Sequence, residues 1–260
     1  PITLMHDLAA FIEATVSDFL QVAVEKTKIL GKFIAAYRPD MSGTQLITIL
    51  LCGIEDASEF GRTLICGMED FEKFYDACST AFIMMAMAAC GFSENGYMQW
   101  AGESLRKRIM HVITNIGITA AVLRDCGFLQ GSALSCILVN FVIKILHDMW
   151  AVDSDKDGYS GYNMDFNEVL KLLAIGFSDD NNVFSGSLVG AVRAVRTFGQ
   201  FTVISAIGRS AKQAHATIFG RKVDPDKELL EASEETKGIL KRHLLHKGST
   251  WFIRSLAWSR

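Results

Sequence analysis

Proline is scarce in this chain, with three in 260 residues, and no stretch is low in complexity or rich in glycine and serine. Only 21% of residues are charged and half are hydrophobic, which excludes a disordered chain and favours a packed core. The length suits one large domain, or two sub-domains sharing a core. No Cys-x-x-Cys pair occurs, and no histidine stands at zinc-ligand spacing from the cysteines at 52, 66, 78, 90, 126 and 136. These therefore read as reduced, mostly buried thiols, not as a disulfide framework or a zinc site. The longest apolar run, 80–92, has 13 residues, short of the ~18–20 that cross a bilayer. A second run, 133–146, is interrupted by Asn140 and Lys144. No basic segment precedes an apolar one as in a secretory signal, so the expectation is a soluble, intracellular chain without a membrane span. Because the chain opens on Pro1, it is expected to be an excerpt of a longer protein.

Acidic residues are also missing locally. Between Asn181 and Val223 there is no Asp or Glu, while Arg193, Arg196, Arg209, Lys212, Arg221 and Lys222 all occur. The segment 241–260 adds Lys241, Arg242, Lys247, Arg254 and Arg260. Such stretches attract phosphate, although a solvated basic face has the same composition.

Against that background the acids that are present stand out. Ser178-Asp179-Asp180 lies between two short apolar runs, at the tip of an expected strand–turn–strand. Adjacent carboxylates raise each other's pKa, and a packed hairpin carrying two of them calls for a cation. Upstream, Leu46–Ile54 is short, apolar and bounded by glycines, which predicts a buried strand running into Glu55-Asp56-Ala57-Ser58-Glu59-Phe60. An Asp at one strand end facing an Asp pair in another turn is the layout of a two-metal site. Asp56, Asp179 and Asp180 are thus the candidate ligands of Mg²⁺ or Mn²⁺, hard ions that take carboxylate oxygens. Between them, Gln130-Gly131 runs into an expected helix 132–150 that carries Ser135 and Asn140. A glycine there lets backbone approach a nucleotide, though Asn140 sits ~140° around the helix from Ser135.

Helical spacing opens the chain over 4–36 and a turn follows at Arg38–Gly43. Long helices are predicted over 68–90 and 97–123, a helix over 187–198, strands over 201–207 and 217–219, and a charged helix over 226–245. The whole is an α+β pattern, a small antiparallel sheet packed by long helices.

In this order the Asp56 segment, the Gln130-Gly131 loop with its helix, and the Ser178-Asp179-Asp180 hairpin resemble motifs A, B and C of a viral RNA-dependent RNA polymerase palm. Ser-Asp-Asp and Asp56-Ala57-Ser58-Glu59-Phe60 are most similar to the segmented negative-strand, bunyavirus-like form, with Glu59 and Phe60 as departures. The resemblance spans about 46–223. It implies a palm with part of the fingers over 46–223, an N-terminal helical segment 1–45 at the fingers–palm junction, and a segment 224–260 toward a thumb. It implies template-directed RNA synthesis, in which nucleotidyl transfer from an NTP to an RNA 3′-hydroxyl uses two Mg²⁺ or Mn²⁺ ions. The implied partners are RNA template and product, NTPs and the remaining polymerase domains or subunits, in the host cytoplasm or virion. By position Lys212 corresponds to a motif D general acid, and Arg221 and Lys222 to a primer grip. Gln130, Gly131, Ser135, Asn140 and Ser178 correspond to nucleotide or RNA contacts.

The rival is Asp153-Ser-Asp155-Lys-Asp157-Gly158, which matches the start of a calcium loop. Position 12 of that loop is Met164 where a bidentate Glu belongs. A helical interaction domain without catalysis is the third reading.

Overall fold

A computed structural model describes residues 7–92, 96–106, 108–111, 113–124, 126–157, 161–165, 169–210, 215–220 and 253–254. In chain order the elements are α1 (Asp7–Thr27), α2 (Gly43–Glu59), β1 (Thr63–Glu69), β2 (Phe71–Glu72), α3 (Phe74–Ala77), α4 (Thr80–Ala89) and α5 (Gly96–Leu105). Four short strands follow, β3 (Arg108–Met110), β4 (Ile113–Thr114), β5 (Gly117–Ile118) and β6 (Val122–Arg124), then the long α6 (Ala133–Asp157). The chain continues through β7 (Tyr162–Asp165), β8 (Val169–Leu172), β9 (Ala174–Phe177), β10 (Asp180–Ser185), α7 (Leu188–Ser205), β11 (Gly208–Arg209), β12 (His215–Gly220) and β13 (Ile253–Arg254). Two compact units result: 1–32 with 72–145 and 203–208, and 33–71 with 146–202 and 209–260.

The second unit holds a five-stranded sheet in the order β13-β12-β1-β10-β9. Its pairings are antiparallel except β12 with β13, which is parallel. Central β1 is buried almost throughout because it is paired on both edges and covered on both faces. Leu64 and Cys66 point to the face where α2 lies, and join Leu46, Ala57, Tyr162, Met164, Leu172 and Phe184 in one apolar cluster. Cys66 is directly opposite Phe184, so this face is built from cross-strand pairs. Complete burial of a side chain such as Phe184 contributes about 1.5–3 kcal/mol. A separate aromatic cluster holds α7 against the C-terminal part of α6. Trp150 donates its Nε1–H to the Ala194 carbonyl at 2.8 Å, and the Phe198 ring lies 6.5 Å from Trp150 and 4.8 Å from Phe71.

The first unit is mainly helical, with α1, α3, α4, α5 and the N-terminal half of α6, plus the ribbons β3–β6 and β4–β5. Arg124 braces its loop: its guanidinium meets Asp76 at 2.9 Å and donates to the carbonyls of Cys126 and Phe128 at 2.9 and 3.0 Å.

The α+β class and the Asp-Asp hairpin agree with the sequence reading, and four elements do not. Leu46–Ile54 belongs to a helix. Its N-terminus is fixed by a capping box in which Ser42 Oγ accepts from the Gln45 amide and Gln45 Oε1 accepts from the Ser42 amide. Residues 68–90 are not one helix, because β1 extends to Glu69, Lys73 adopts a φ of 53°, and Ser79 starts α4 afresh by capping Phe82. Residues 106–123 hold the short ribbons β3–β6 and β4–β5, as their β-branched residues favour, with Gly117 opening β5 at a φ of 139°. Residues 201–205 continue α7, since Ala194, Phe198, Phe201 and Ser205 recur on one buried face despite the strand-like Thr202-Val203-Ile204.

α6 is also longer than the apolar run suggested and is the one described helix long and apolar enough to cross a bilayer. Ile137, Leu138, Phe141, Leu146 and Trp150 are each at most 1% exposed, as in the core helix of a folded domain. Because α6 runs to Asp157, Asp153 is helical and its carboxylate accepts from Thr197 at 3.0 Å. The calcium-loop conformation is therefore absent over Asp153–Asp157. All six cysteines are free thiols, and burial pushes those of Cys66 and Cys78 up to about 12. The expected helix over 226–245 lies outside the described residues.

Candidate active site

Strands β9 and β10 pair Phe177 with Asp180, leaving Ser178 and Asp179 as a two-residue loop. Tight hairpins of this length need a positive φ at the first loop position, and Ser178 supplies it at 61°. Asp179 is half-buried and Asp180 exposed at the start of β10. β10 then pairs with β1 in a register that sets Asn181 opposite Glu69. That pairing ends there, and Asp70 follows as the first residue beyond β1.

The electrostatics agree with that register. Asp180's carboxyl is held above its usual range, first by desolvation and then by the like charges of Asp179 and Asp70. Like charges this near one another oppose the ionised form of each unless something offsets them. Asp70, just past β1, and Asp179, in the hairpin loop, thus both lie near Asp180 at the start of β10.

Asp70 is anchored on both sides. Before it, buried Glu69 receives Arg209 in a two-pronged contact, with Nε to Oε2 at 3.1 Å and Nη2 to Oε1 at 3.3 Å. Burial pushes the Glu69 carboxyl up to about 7, although Arg209 pulls it down. After it, Phe71 is 5% exposed and packs on Phe198 and Phe201. The Ser210 amide donates to the Asp70 carbonyl at 3.0 Å. The backbone of Asp70 is therefore fixed while its side chain stays half-buried at the sheet end.

Asp56 has a different place. It lies on α2, 5% exposed, where the Tyr162 hydroxyl donates to its carboxylate and Arg62 Nη1 approaches to 3.7 Å. It holds α2 to β7 as a buried structural acid and is not at a strand end. The likeness of 56–60 to a strand-end motif fails with it, because these residues are helical up to Glu59. Asp70 is the carboxylate beside the hairpin that the sequence reading left out of its candidate set. The signal was Thr63–Met68, a β-prone run after Gly61, with Glu69-Asp70 at its end in place of a helix start.

The remaining candidates divide by unit. Gln130, Gly131, Ser135 and Asn140 belong to the first unit, around the start of α6. Gly131 takes a φ of 102°. Ser132 caps α6, accepting from the Ser135 amide at 3.3 Å while its hydroxyl donates to buried Glu13. Ser135 Oγ accepts from the Leu129 amide at 3.0 Å, so this hydroxyl secures its own loop. Asn140 is fully buried. Lys212, Arg221 and Lys222 lie outside the described residues.

Among the described residues no group of three or more acidic, histidine or cysteine side chains is placed to hold a metal ion by itself. What Asp70, Asp179 and Asp180 share is proximity, recorded in the raised carboxyl of Asp180. Carboxylate oxygens are the ligand type that Mg²⁺ and Mn²⁺ take, with waters and substrate phosphates completing the shell.

No protein-family model matches the sequence, and no curated protein matches it either. Solved structures do match in fold. A Candida tropicalis telomerase in complex with a TWJ fragment of telomeric RNA superposes with a TM-score of 0.57 at 11% identity, over 79% of this chain and 33% of that one. The Candida albicans telomerase in the corresponding complex gives 0.59 at 11% identity, over 81% and 34%. An apo Candida tropicalis telomerase truncated from its C-terminal domain gives 0.56 at 10% identity, over 84% and 41%. This chain thus spans a third to two-fifths of the length of those proteins and shares its fold with part of them.

Proposed function

We propose that this chain is the palm core of a template-directed nucleic-acid polymerase, and that Asp70, Asp179 and Asp180 are its metal-binding carboxylates. One observation carries the reading: the charges of Asp70 and Asp179 both reach Asp180 at the end of the β1–β10 pairing, in a chain that shares its fold with part of a telomerase. RNA-directed RNA synthesis is the specific activity proposed, on the likeness of the Ser178-Asp179-Asp180 hairpin to viral motif C. Asp56 drops out of the ligand set, since its carboxylate is committed within the fold.

A bound Mg²⁺ or Mn²⁺ supplies activation of the attacking 3′-oxygen and neutralisation of the triphosphate. The chain's own work is positional. β1 and β10 hold the three carboxylates at one sheet end before substrate arrives, so little reorganisation is left for the reaction. The Arg209–Glu69 contact and the buried Phe71 ring keep Asp70 in place from either side. Lys212 as proton donor to the leaving pyrophosphate, and Arg221 and Lys222 as contacts to the primer strand, complete the proposal. The RNA, the NTPs and further polymerase domains are the expected partners.

Primer extension on an RNA template with NTPs, by the polymerase carrying this segment, tests the reading. Extension lost in Asp70→Ala and Asp179→Ala but kept in Asp153→Ala supports it. Extension surviving Asp70→Ala, or disappearing in Asp153→Ala, defeats it.

A further inference from the structure

Asn181 follows the acidic pair directly and is 2% exposed on β10. Its Nδ2 donates to the Asp179 carbonyl at 3.0 Å. Its Oδ1 lies 3.2 Å from Nε2 of His147, on the C-terminal half of α6. These two contacts fix each other. A carbonyl can only accept, so the group facing Asp179 must be the NH₂ of the amide. The amide oxygen then faces His147, and Nε2 must carry a proton to donate to it. The His147 ring lies 5.6 Å from Trp150, one turn further along α6, and Trp150 is itself held by the Ala194 carbonyl.

We propose that His147 is a positioning residue for the acidic turn: as the Nε2–H tautomer it orients the Asn181 amide, which tethers the backbone of Asp179. The inference rests on the polymerase reading above, in which Asp179 is a metal ligand. Ser178 holds a φ of 61°, which non-glycine residues seldom adopt, and the tether acts on the next residue of the same turn. His147 and Asn181 supply that restraint from a buried helix, and neither needs to touch substrate. Partners that orient a ligand in this way typically govern metal affinity by 10–100-fold.

Mn²⁺ titration calorimetry on the whole chain provides the test, using His147→Leu, Asn181→Leu, the double variant, His147→Gln and Asp179→Asn. Each leucine variant is expected to weaken Mn²⁺ roughly tenfold. The double variant should be no weaker than either single one, because both cut the same tether. His147→Gln, which keeps a donor nitrogen, should restore affinity to within about twofold of the parent. Unchanged affinity in His147→Leu, or single effects that multiply in the double variant, overturns the tether. Unchanged affinity in Asp179→Asn defeats the polymerase reading itself, so the two failures are distinguishable. If the leucine variants do not fold, ¹⁵N–¹H correlation of the imidazole in the parent protein decides. A proton on Nε2 supports the proposal, and a neutral ring protonated only on Nδ1 overturns it.

Discussion

Asp56→Asn separates a structural acid from a metal ligand, and its cost can be worked out from the contacts. The side chain is 5% exposed, and its carboxylate takes a hydrogen bond from the Tyr162 hydroxyl. A hydrogen bond to a charged group contributes about 1.5–3 kcal/mol against 0.5–1.5 for a neutral one, so neutralisation forfeits roughly 1 kcal/mol. Arg62 stands 3.7 Å away with its side chain 35% exposed, and solvent limits that pair to ~0.5 kcal/mol. The new amide also brings an NH₂ into a site built for an acceptor, at about 1–2 kcal/mol. The sum is about 3 kcal/mol, a large share of the 5–15 kcal/mol by which domains are stable. Urea unfolding followed by circular dichroism measures it, and Mn²⁺ calorimetry on the same sample should match the parent. Tyr162→Phe should recover part of the loss when combined with Asp56→Asn, because the two changes remove one interaction. An Asp56→Asn protein with stability within ~0.5 kcal/mol of the parent, but no Mn²⁺ binding, would refute this account of α2.

Gly220 lies opposite Thr63 at a φ of 71°, and a Cβ there would sit 2.2 Å from the Arg62 carbonyl oxygen. Gly220→Ala should therefore cost more than about 3 kcal/mol in urea unfolding, whereas Gly31→Ala, at a φ of 72° with open space around it, should cost only about 1–2. Asp180→Asn removes a carboxyl whose pKa is raised in the folded state, so ionising it opposes folding. The variant should melt above the parent at neutral pH, and the gain should shrink as the pH falls through Asp180's raised pKa. Glu69 has a folded pKa raised from 4.5 to about 7, so its stabilising contribution is full below ~4.5 and is lost as the pH rises toward 7. Melting curves of Glu69→Gln should be flatter than the parent's across that window, and an unchanged slope would contradict the assigned burial.

The hairpin was legible because its information is local. Two β-prone runs with Ser178-Asp179-Asp180 between them admit few other conformations, and the same holds for α6 with its unbroken apolar face. Asp56 and Asp70 show where local information runs out. Both follow apolar runs of similar composition, and which run becomes strand depends on pairing with residues more than a hundred positions away, Cys66 with Phe184 and Leu64 with Phe219. The capping box at Ser42 and Gln45 marked 43–59 as helix, a signal that the glycine-bounded reading of 46–54 overrode. The ribbons over 106–123 were hidden differently, since their exposed Ile109, Ile113, Ile116 and Ile118 mimic the spacing of an amphipathic helix. The tether through His147 and Asn181 depends on tertiary placement and has no linear signature.

Crystals grown with Mn²⁺ and measured at the manganese absorption edge test the central claim most directly. The anomalous map should place an ion within coordination distance, about 2.0–2.4 Å, of carboxylate oxygens from both Asp70 and Asp179. An ion bound instead at Asp56 or Asp153, with the sheet end formed by β1 and β10 bare, would contradict it.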